Sequence, residues 1–124
     1  MSRSPADVVT EFCALWSAPD PDVLAGHFTE DGVYHNIPME AVVGREAIRA
    51  FIADFTAAVD GIDFRIHRQV CAGDLVFNER TDVMRFRDGR RLELPVAGVF
   101  EVADGRIASW RDYFDMATVT AAWG

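Results

Sequence analysis

The sequence contains few of the residues that form metal sites and disulfide frameworks. It has two cysteines and three histidines in 124 residues, and Cys13 and Cys71 stand far apart without a CxxC spacing. The histidines, His27, His35 and His67, are scattered as well. Zinc sites need clustered ligands and disulfide frameworks need several paired cysteines, so we expect neither.

Basic residues are also scarce relative to acidic ones. Twelve basic residues against twenty acidic residues give a formal net charge of −8. Such a charge repels phosphate backbones and anionic lipid surfaces, so we expect no nucleic-acid partner and no membrane association. The sequence also has no basic leader followed by an apolar segment, and no apolar run of membrane-spanning length. The cytoplasm is therefore the expected compartment.

Three glycine motifs that mark common enzyme folds are missing. Neither GxGxxG nor GxxxxGK occurs, so neither a dinucleotide site nor a P-loop phosphate site is indicated. The GxSxG pattern of a nucleophile elbow is missing too, which disfavours an enzyme of the α/β-hydrolase type.

The sequence does have the composition of a globular protein. Half of the residues are hydrophobic, 26% are charged and nine are phenylalanine. A chain of this length can bury one hydrophobic core but not two. We therefore predict one domain over residues 1–124.

Helical periodicity dominates the beginning of the chain. Three helices are predicted, over residues 5–16, 20–28 and 44–59, and Ser4 is in place to cap the first of them. Between the second and third helices, we interpret Asp31-Gly32 as a turn that leads into the strand VYHNIP.

Every segment after Gly61 alternates like a strand. Four strands are predicted, over residues 62–71, 75–87, 90–102 and 106–115, joined by the turns AGD, DG and ADG. Connections of this length form antiparallel hairpins. Helices followed by a run of long strands predict an α+β domain, with the helices on one face of a curved sheet.

The strand over residues 75–87 has one face that mixes polar and apolar residues. Asn78, Arg80, Asp82 and Met84 share one side of the strand, and the residues at both ends of that side are apolar. A simple amphipathic strand has one polar face and one apolar face. Polar groups in the middle of an apolar face therefore indicate a site.

Two other strands show a similar mixture. Asp112 stands between Trp110 and Phe114 on one face of the last strand, and Tyr34 shares a face with Asn36. If these faces converge, one pocket holds two carboxylates, a guanidinium, a phenol and an amide. Unpaired buried charges are costly, so the charged groups would have to satisfy one another.

A structural interpretation explains the same residues without chemistry. On alternation alone, Arg80 and Asp82 could form an ordinary ion pair on a solvated sheet face. Tyr34 and Asn36 could simply precede a turn at Pro38.

Three stretches together resemble the limonene-1,2-epoxide hydrolase family. They are ERTDVMR, GVFEVADGRIASWRDYFD and VYHNIP, which correspond to the family's Arg-x-Asp pair, its Trp-Arg-Asp-Tyr-Phe-Asp stretch and its upstream Tyr-x-Asn. The resemblance runs from Phe12 to about Met116, with these stretches in the family's order. It implies the cone-shaped α+β fold shared with nuclear transport factor and ketosteroid isomerase: a curved, mainly antiparallel sheet with N-terminal helices on its concave face, enclosing a deep pocket.

The resemblance also implies a site and an activity. Arg80, Asp82 and Asp112 match the catalytic residues, and Tyr34 and Asn36 match the groups that hold the water. The apolar pocket wall would contain Cys13, Trp16, Met84, Leu94, Val96 and Phe114, with Trp110 beside Asp112. The implied protein is a homodimer that needs no cofactor and no metal, and it adds water to a small apolar epoxide.

Epoxide hydration needs a base for the water and an acid for the epoxide oxygen. Two aspartates in one dry pocket divide these roles if one is ionised and the other protonated. We expect Asp112 to be the base and Asp82 the acid, acting in one step without a covalent ester.

Other functions remain open on this fold. A ketosteroid-isomerase-like enzyme would use an aspartate base with Tyr34 and an acid as oxyanion donors, although a buried arginine beside that acid fits poorly. An epoxide-opening cyclase would replace water with a hydroxyl of the substrate. A small-ligand-binding module would have the pocket without the catalytic need for two buried carboxylates.

Overall fold

The computed structural model describes residues 3–123, which form four helices and six strands. The helices are α1 (Pro5–Leu15), α2 (Pro21–Gly26), α3 (Arg45–Thr56) and α4 (Met116–Trp123). The strands are β1 (Phe28–Asn36), β2 (Val42–Val43), β3 (Val59–Ala72), β4 (Leu75–Phe86), β5 (Arg91–Ala103) and β6 (Arg106–Tyr113). In the described residues, no helix is long and apolar enough to cross a membrane.

Side chains cap the first two helices, as their sequences suggest. The Ser4 Oγ accepts a hydrogen bond from the Asp7 backbone N–H at 3.1 Å, which confirms the predicted cap of α1. Asp20 Oδ1 accepts from the backbone N–H groups of Asp22 and Val23 at the start of α2. Pro follows the cap in both helices, where its missing N–H costs nothing.

The six strands form one sheet in the order β2-β1-β6-β5-β4-β3. Strands β3 to β6 pair antiparallel in chain order, as the short turns predict. Strand β1 pairs parallel with β6 and lies between β6 and the edge strand β2. The predicted α+β class with a curved, mainly antiparallel sheet is confirmed. The hydrophobic core lies between this sheet and the helices, and its largest fully buried side chains include Trp16, Trp110 and Phe12.

The structure corrects the predicted elements in three places up to the start of β3. Helix α3 ends at Thr56, and Val59, predicted in that helix, is the first residue of β3. Phe28 belongs to β1 and not to the second helix, which ends at Gly26. Asp31-Gly32 is not a turn but part of β1, where the pairing with β6 shifts register between Phe28 and Val33. The bulge disrupts the alternation of side chains, so the segment resembles a turn in the sequence.

The prediction of strands alone after Gly61 is wrong at the C-terminal end. Strand β6 ends at Tyr113. Asp115, which is predicted in that strand, instead accepts hydrogen bonds from Ala117 N and Thr118 Oγ1 at the start of α4. The sequence of α4, MATVTAAW, is short and contains β-branched residues, which disfavour helix. Stacking of Trp123 on Phe55 holds α4 over the open end of the sheet.

Candidate active site

The guanidinium of Arg80 is the centre of a buried charge cluster. Its Nε donates to Asp82 Oδ1 at 2.7 Å, and its Nη2 donates to both Asp82 Oδ2 at 3.1 Å and Asp112 Oδ2 at 2.5 Å. Arg80 is 1% exposed, and each aspartate is 4% exposed. A solvated surface ion pair is therefore the wrong interpretation of Arg80 and Asp82.

Strand register explains how the cluster assembles. Inward positions of β4 bring Arg80 and Asp82 to the same face, and β6 contributes Asp112 from two strands away. Gly98 lies on β5 between them, as the register partner of Asp112. A Cβ atom on Gly98 would lie 2.4 Å from Arg80 Nη1, so the guanidinium occupies the space that a side chain would fill.

Burial sets the charges in this cluster. It disfavours the cationic form of Arg80, but the carboxylates of Asp112 and Asp82 outweigh that effect, so the pKa of Arg80 is raised and the group stays charged. Burial raises the pKa of Asp82 to about 6, with Arg80 opposing the shift. Burial also raises the pKa of Asp112, against the opposing effects of Arg80 and the Trp110 indole. Together these shifts favour one shared proton on the two aspartates.

Tyr34 and Asn36 reach the cluster because β1 runs parallel to β6. Asn36 is the register partner of Asp112, and Tyr34 is the partner of Trp110. The Tyr34 ring stacks on the Trp110 ring at 4.4 Å between centroids, with 5° between planes. Burial, followed by the charge of Asp112, raises the pKa of Tyr34, so its phenol stays neutral and can only donate or accept hydrogen bonds.

The indole of Trp110 holds Asp112 in place. Its Nε1 donates to Asp112 Oδ1 at 2.6 Å, while Arg80 binds the other carboxylate oxygen. Both oxygens of Asp112 thus accept short hydrogen bonds, which favour the ionised carboxylate. Asp82 differs, because the contact of its Oδ2 with Arg80 is longer.

A cavity opens on the two carboxylates. Its volume is about 460 Å³ when the open space at its mouth is included. The polar residues of its wall are Asp82, Asp112, Tyr34 and Asn36. The remaining wall is apolar and consists of Trp16, Met39, Phe55, Ile62, Phe64, Met84, Leu94, Val96, Phe114 and Val119.

The structure places most of the expected wall residues at this cavity. Trp16, Met84, Leu94, Val96 and Phe114 all line it. Two expected residues lie one layer behind the wall instead.

These two residues are Cys13 and Trp110. Cys13 packs on the far side of the cluster, where Asn78 Nδ2 approaches its sulfur at 3.9 Å. Burial raises the pKa of the Cys13 thiol to about 12, so it remains protonated. Trp110 is covered by Tyr34 and reaches the site only through its bond to Asp112.

Five wall residues were missed: Met39, Phe55, Ile62, Phe64 and Val119. Phe55 lies on the apolar stripe of α3, where periodicity shows only that it faces inward. Val119 lies on α4, which was not predicted. Phe64 was on a predicted strand, and the guanidinium carbon of Arg80 lies 4.4 Å from its ring centroid. A cation–π contact of this kind leaves no sequence signal.

The arrangement can supply acid–base chemistry. Two carboxylates share a cation in an apolar cavity, and a phenol and an amide stand beside one of them. Across residues 3–123, no group of three or more His, Cys, Asp or Glu side chains could hold a metal ion.

The chain is similar in sequence to known proteins. Residues 3–124 match the family described as the limonene-1,2-epoxide hydrolase catalytic domain. The chain is 36% identical, over 97 residues and 78% of its length, to epoxide hydrolase EphG of Mycobacterium tuberculosis. The match spans 64% of that protein.

Solved structures share the fold. A limonene-epoxide-hydrolase-like epoxide hydrolase of M. tuberculosis superposes with a TM-score of 0.81 at 32% identity, covering 94% of this chain and 86% of that one. A hypothetical protein of Catenulispora acidiphila with a ketosteroid isomerase-like fold, in complex with trimethylamine, superposes with a TM-score of 0.82 at 26% identity. That match covers 93% of this chain and 90% of the other.

Proposed function

Because the chain belongs to the limonene-1,2-epoxide hydrolase catalytic-domain family, we propose that it is a cofactor-independent epoxide hydrolase. Its substrate is a small apolar epoxide, terpene-like or cyclic, and its product is a vicinal diol. The observation that carries this proposal is the pair of buried carboxylates bridged by Arg80 at an apolar cavity.

Asp112 is the general base in this scheme. Tyr34 and Asn36 lie beside it on the neighbouring strand and hold the attacking water by hydrogen bonds. The bonds from Trp110 and Arg80 favour the ionised form of Asp112 and oppose the effect of its burial. As the water oxygen attacks one epoxide carbon, Asp112 takes a proton from it.

Asp82 is the general acid. Its raised pKa keeps a proton available, and its Oδ2 has only the longer contact with Arg80. As the epoxide C–O bond breaks, Asp82 donates this proton to the leaving oxygen, which becomes the second hydroxyl of the diol. Asp112 now holds one proton and Asp82 none, so the proton returns to Asp82 before the next turnover. No covalent ester forms in this one-step scheme.

A pH profile tests the assignment of the acid. The protonated fraction of Asp82 falls as pH rises through its pKa of about 6, so the acid is progressively lost. We expect kcat/KM to fall by about tenfold per pH unit well above that value. Circular dichroism at each pH separates this loss from unfolding. A kcat/KM that stays constant or rises from pH 6 to pH 8 contradicts the assignment.

A substrate screen tests the activity itself. The panel should contain terpene, cycloalkene and styrene epoxides, with the diol and its chirality as the readout. We expect diol from at least the smaller members, because the cavity wall is largely apolar. Ring closure in place of diol would indicate a cyclase, and proton exchange beside a carbonyl without hydration would indicate an isomerase. Binding without turnover, unaffected by loss of both aspartates, would indicate a ligand-binding module.

We also propose a homodimer, formed through the outer face of the sheet. Val70 and Phe77 are register partners there and are 65% and 45% exposed. In a monomer this apolar pair would be in contact with water. We expect light scattering to give twice the 13.8 kDa chain mass. Phe77→Asp should give the monomer mass, whereas Val23→Asp, at an equally exposed residue of α2, should not. A monomeric wild type contradicts the proposal.

The cytoplasmic location stays a prediction, which fractionation of cells can test.

A further inference from the structure

A row of amides lies behind the carboxylates, and the mechanism above does not use it. Arg80 Nη1 donates to Asn78 Oδ1 at 3.0 Å, and Asn78 Nδ2 donates to Gln69 Oε1 at 3.1 Å. Gln69 Nε2 in turn donates to Thr10 Oγ1 at 3.0 Å and to the Ala6 carbonyl of α1 at 3.5 Å. The row therefore connects the buried guanidinium to the backbone of a helix.

The helix carbonyl fixes the direction of the whole row. The Ala6 carbonyl can only accept, so Gln69 must present its NH₂ group to α1 and its oxygen to Asn78. Asn78 must then present its NH₂ group to Gln69 and its oxygen to Arg80. The orientation of the Gln69 amide therefore determines that of Asn78, and the Asn78 oxygen faces Arg80 as a hydrogen-bond acceptor.

Arg80 needs this acceptor because Nη1 has no carboxylate. The two aspartates bind Nε and Nη2, whereas Nη1 packs against Gly98, which has no side chain to offer an acceptor. A buried donor without a partner costs free energy, so without Asn78 the guanidinium would turn toward another acceptor. A guanidinium reoriented in this way would lose its hydrogen-bond geometry with one or both carboxylates.

We propose that Asn78 and Gln69 are positioning residues that hold the Arg80 guanidinium in the plane where it bridges Asp82 and Asp112. The inference rests on the proposed epoxide hydrolase function. Neither amide lines the cavity, so both act through Arg80 and not on the substrate.

The neutrality of Asn78 is part of this role. An aspartate at position 78 would also accept from Nη1, but it would add a third carboxylate to one guanidinium. Arg80 would then stabilise Asp82 and Asp112 less, and both would keep their protons to higher pH. Cys13 on α1 and Tyr34 on β1 also face the cluster, and both stay neutral because burial raises their pKa values.

Kinetics of four variants test the proposal. Asn78→Leu removes the acceptor, and Gln69→Leu removes the anchor to α1. Asn78→Asp adds a charge at nearly the same shape, and it puts an oxygen where Asn78 Nδ2 donates to Gln69. Arg68→Gln is the matched control, because it makes the same change in net charge at a neighbouring side chain that is 78% exposed. Thermal unfolding of each variant identifies any that fails to fold, and Gln69→Leu, at a half-buried residue, provides the test if Asn78→Leu is one of them.

We expect Asn78→Leu to lower kcat by about 10²-fold, because a misaligned catalytic group costs that much, with KM changed by less than about threefold. Gln69→Leu should lower kcat by about tenfold. Asn78→Asp should move the fall of kcat/KM to higher pH by about one unit, and Arg68→Gln should leave it in place. Wild-type kcat in both leucine variants, or an effect on KM alone, overturns the proposal. So does an equal pH shift in Arg68→Gln.

A titration without substrate separates this inference from the proposed function. Carbon-13 NMR of labelled aspartate carboxyls follows Asp82 and Asp112 directly in the wild type and in Asn78→Asp. We expect both carboxyl titrations to move to higher pH in the variant, even if the protein hydrolyses no epoxide. Unchanged titrations overturn the positioning role, whereas failure of the epoxide screen overturns only the proposed reaction.

Discussion

Asp82→Asn and Asp112→Asn are each expected to lower kcat by about 10²–10⁴-fold, the range that a positioned general acid or base contributes. Each change removes one proton-transfer group and nothing else of the site. Asparagine has the shape of aspartate, and Arg80 keeps the other carboxylate as its partner, so no charge is left buried and unpaired. We therefore expect both variants to fold.

The two variants differ in how their residual rate depends on pH. In Asp82→Asn the acid is missing, so the fall of kcat/KM above pH 6 should disappear. In Asp112→Asn the base is missing, and the alkaline fall should persist. Asp60→Asn is the control, because Asp60 forms only an exposed pair with Arg87 at 3.9 Å. Activity of Asp112→Asn within tenfold of wild type would remove Asp112 as the base.

Gly98→Ala is expected to damage both the site and the fold. The new methyl carbon would lie 2.4 Å from Arg80 Nη1 and 2.9 Å from Asp112 Oδ1, closer than real Cβ contacts. Arg80 is fully buried, so it must leave its bonds to make room. We expect kcat to fall by about 10²-fold and the free energy of unfolding to fall by about 1–3 kcal/mol, as in other overpacked cores.

The direction of the change in the free energy of unfolding distinguishes close packing at Gly98 from free space. Where space allows, replacing a strand glycine by alanine stabilises by roughly 0.5–1 kcal/mol. A more stable Gly98→Ala variant with wild-type kcat would therefore contradict the close packing of Arg80 on β5. Gly26→Ala is the control, because apart from its chain neighbours and its own helix backbone, no heavy atom lies within 4 Å of the Cβ that it would add.

Local patterns predicted most of the architecture. Alternation and short turns gave the antiparallel strands β3 to β6, and Ser4 marked the start of α1. The pairing of β1 with β6 could not be read, because it joins residues about 75 positions apart and contains a bulge. Helix α4 was missed because packing of Trp123 on Phe55 and Phe86, and not local propensity, holds it in place.

The site was predictable to the extent that residues share a strand face. Arg80 and Asp82 are two residues apart, so their side chains lie on the same face of the strand. Alternation alone could not decide whether that face contacts solvent or the core. The burial of Arg80 depends on the ring of Phe64, the hydrogen bond that Arg80 donates to Asn78 and the missing side chain at Gly98. These contacts come from three strands, and no single segment contains a signal for them.

The central claim is that water attacks the epoxide directly, with Asp112 as base and Asp82 as acid. A single turnover in oxygen-18 water, with enzyme in excess over substrate, tests it. We predict one labelled oxygen in the diol and no change in the mass of the protein. A first-turnover diol without label, together with oxygen-18 in Asp82 or Asp112, would mean that a carboxylate attacks the epoxide and would contradict the one-step mechanism.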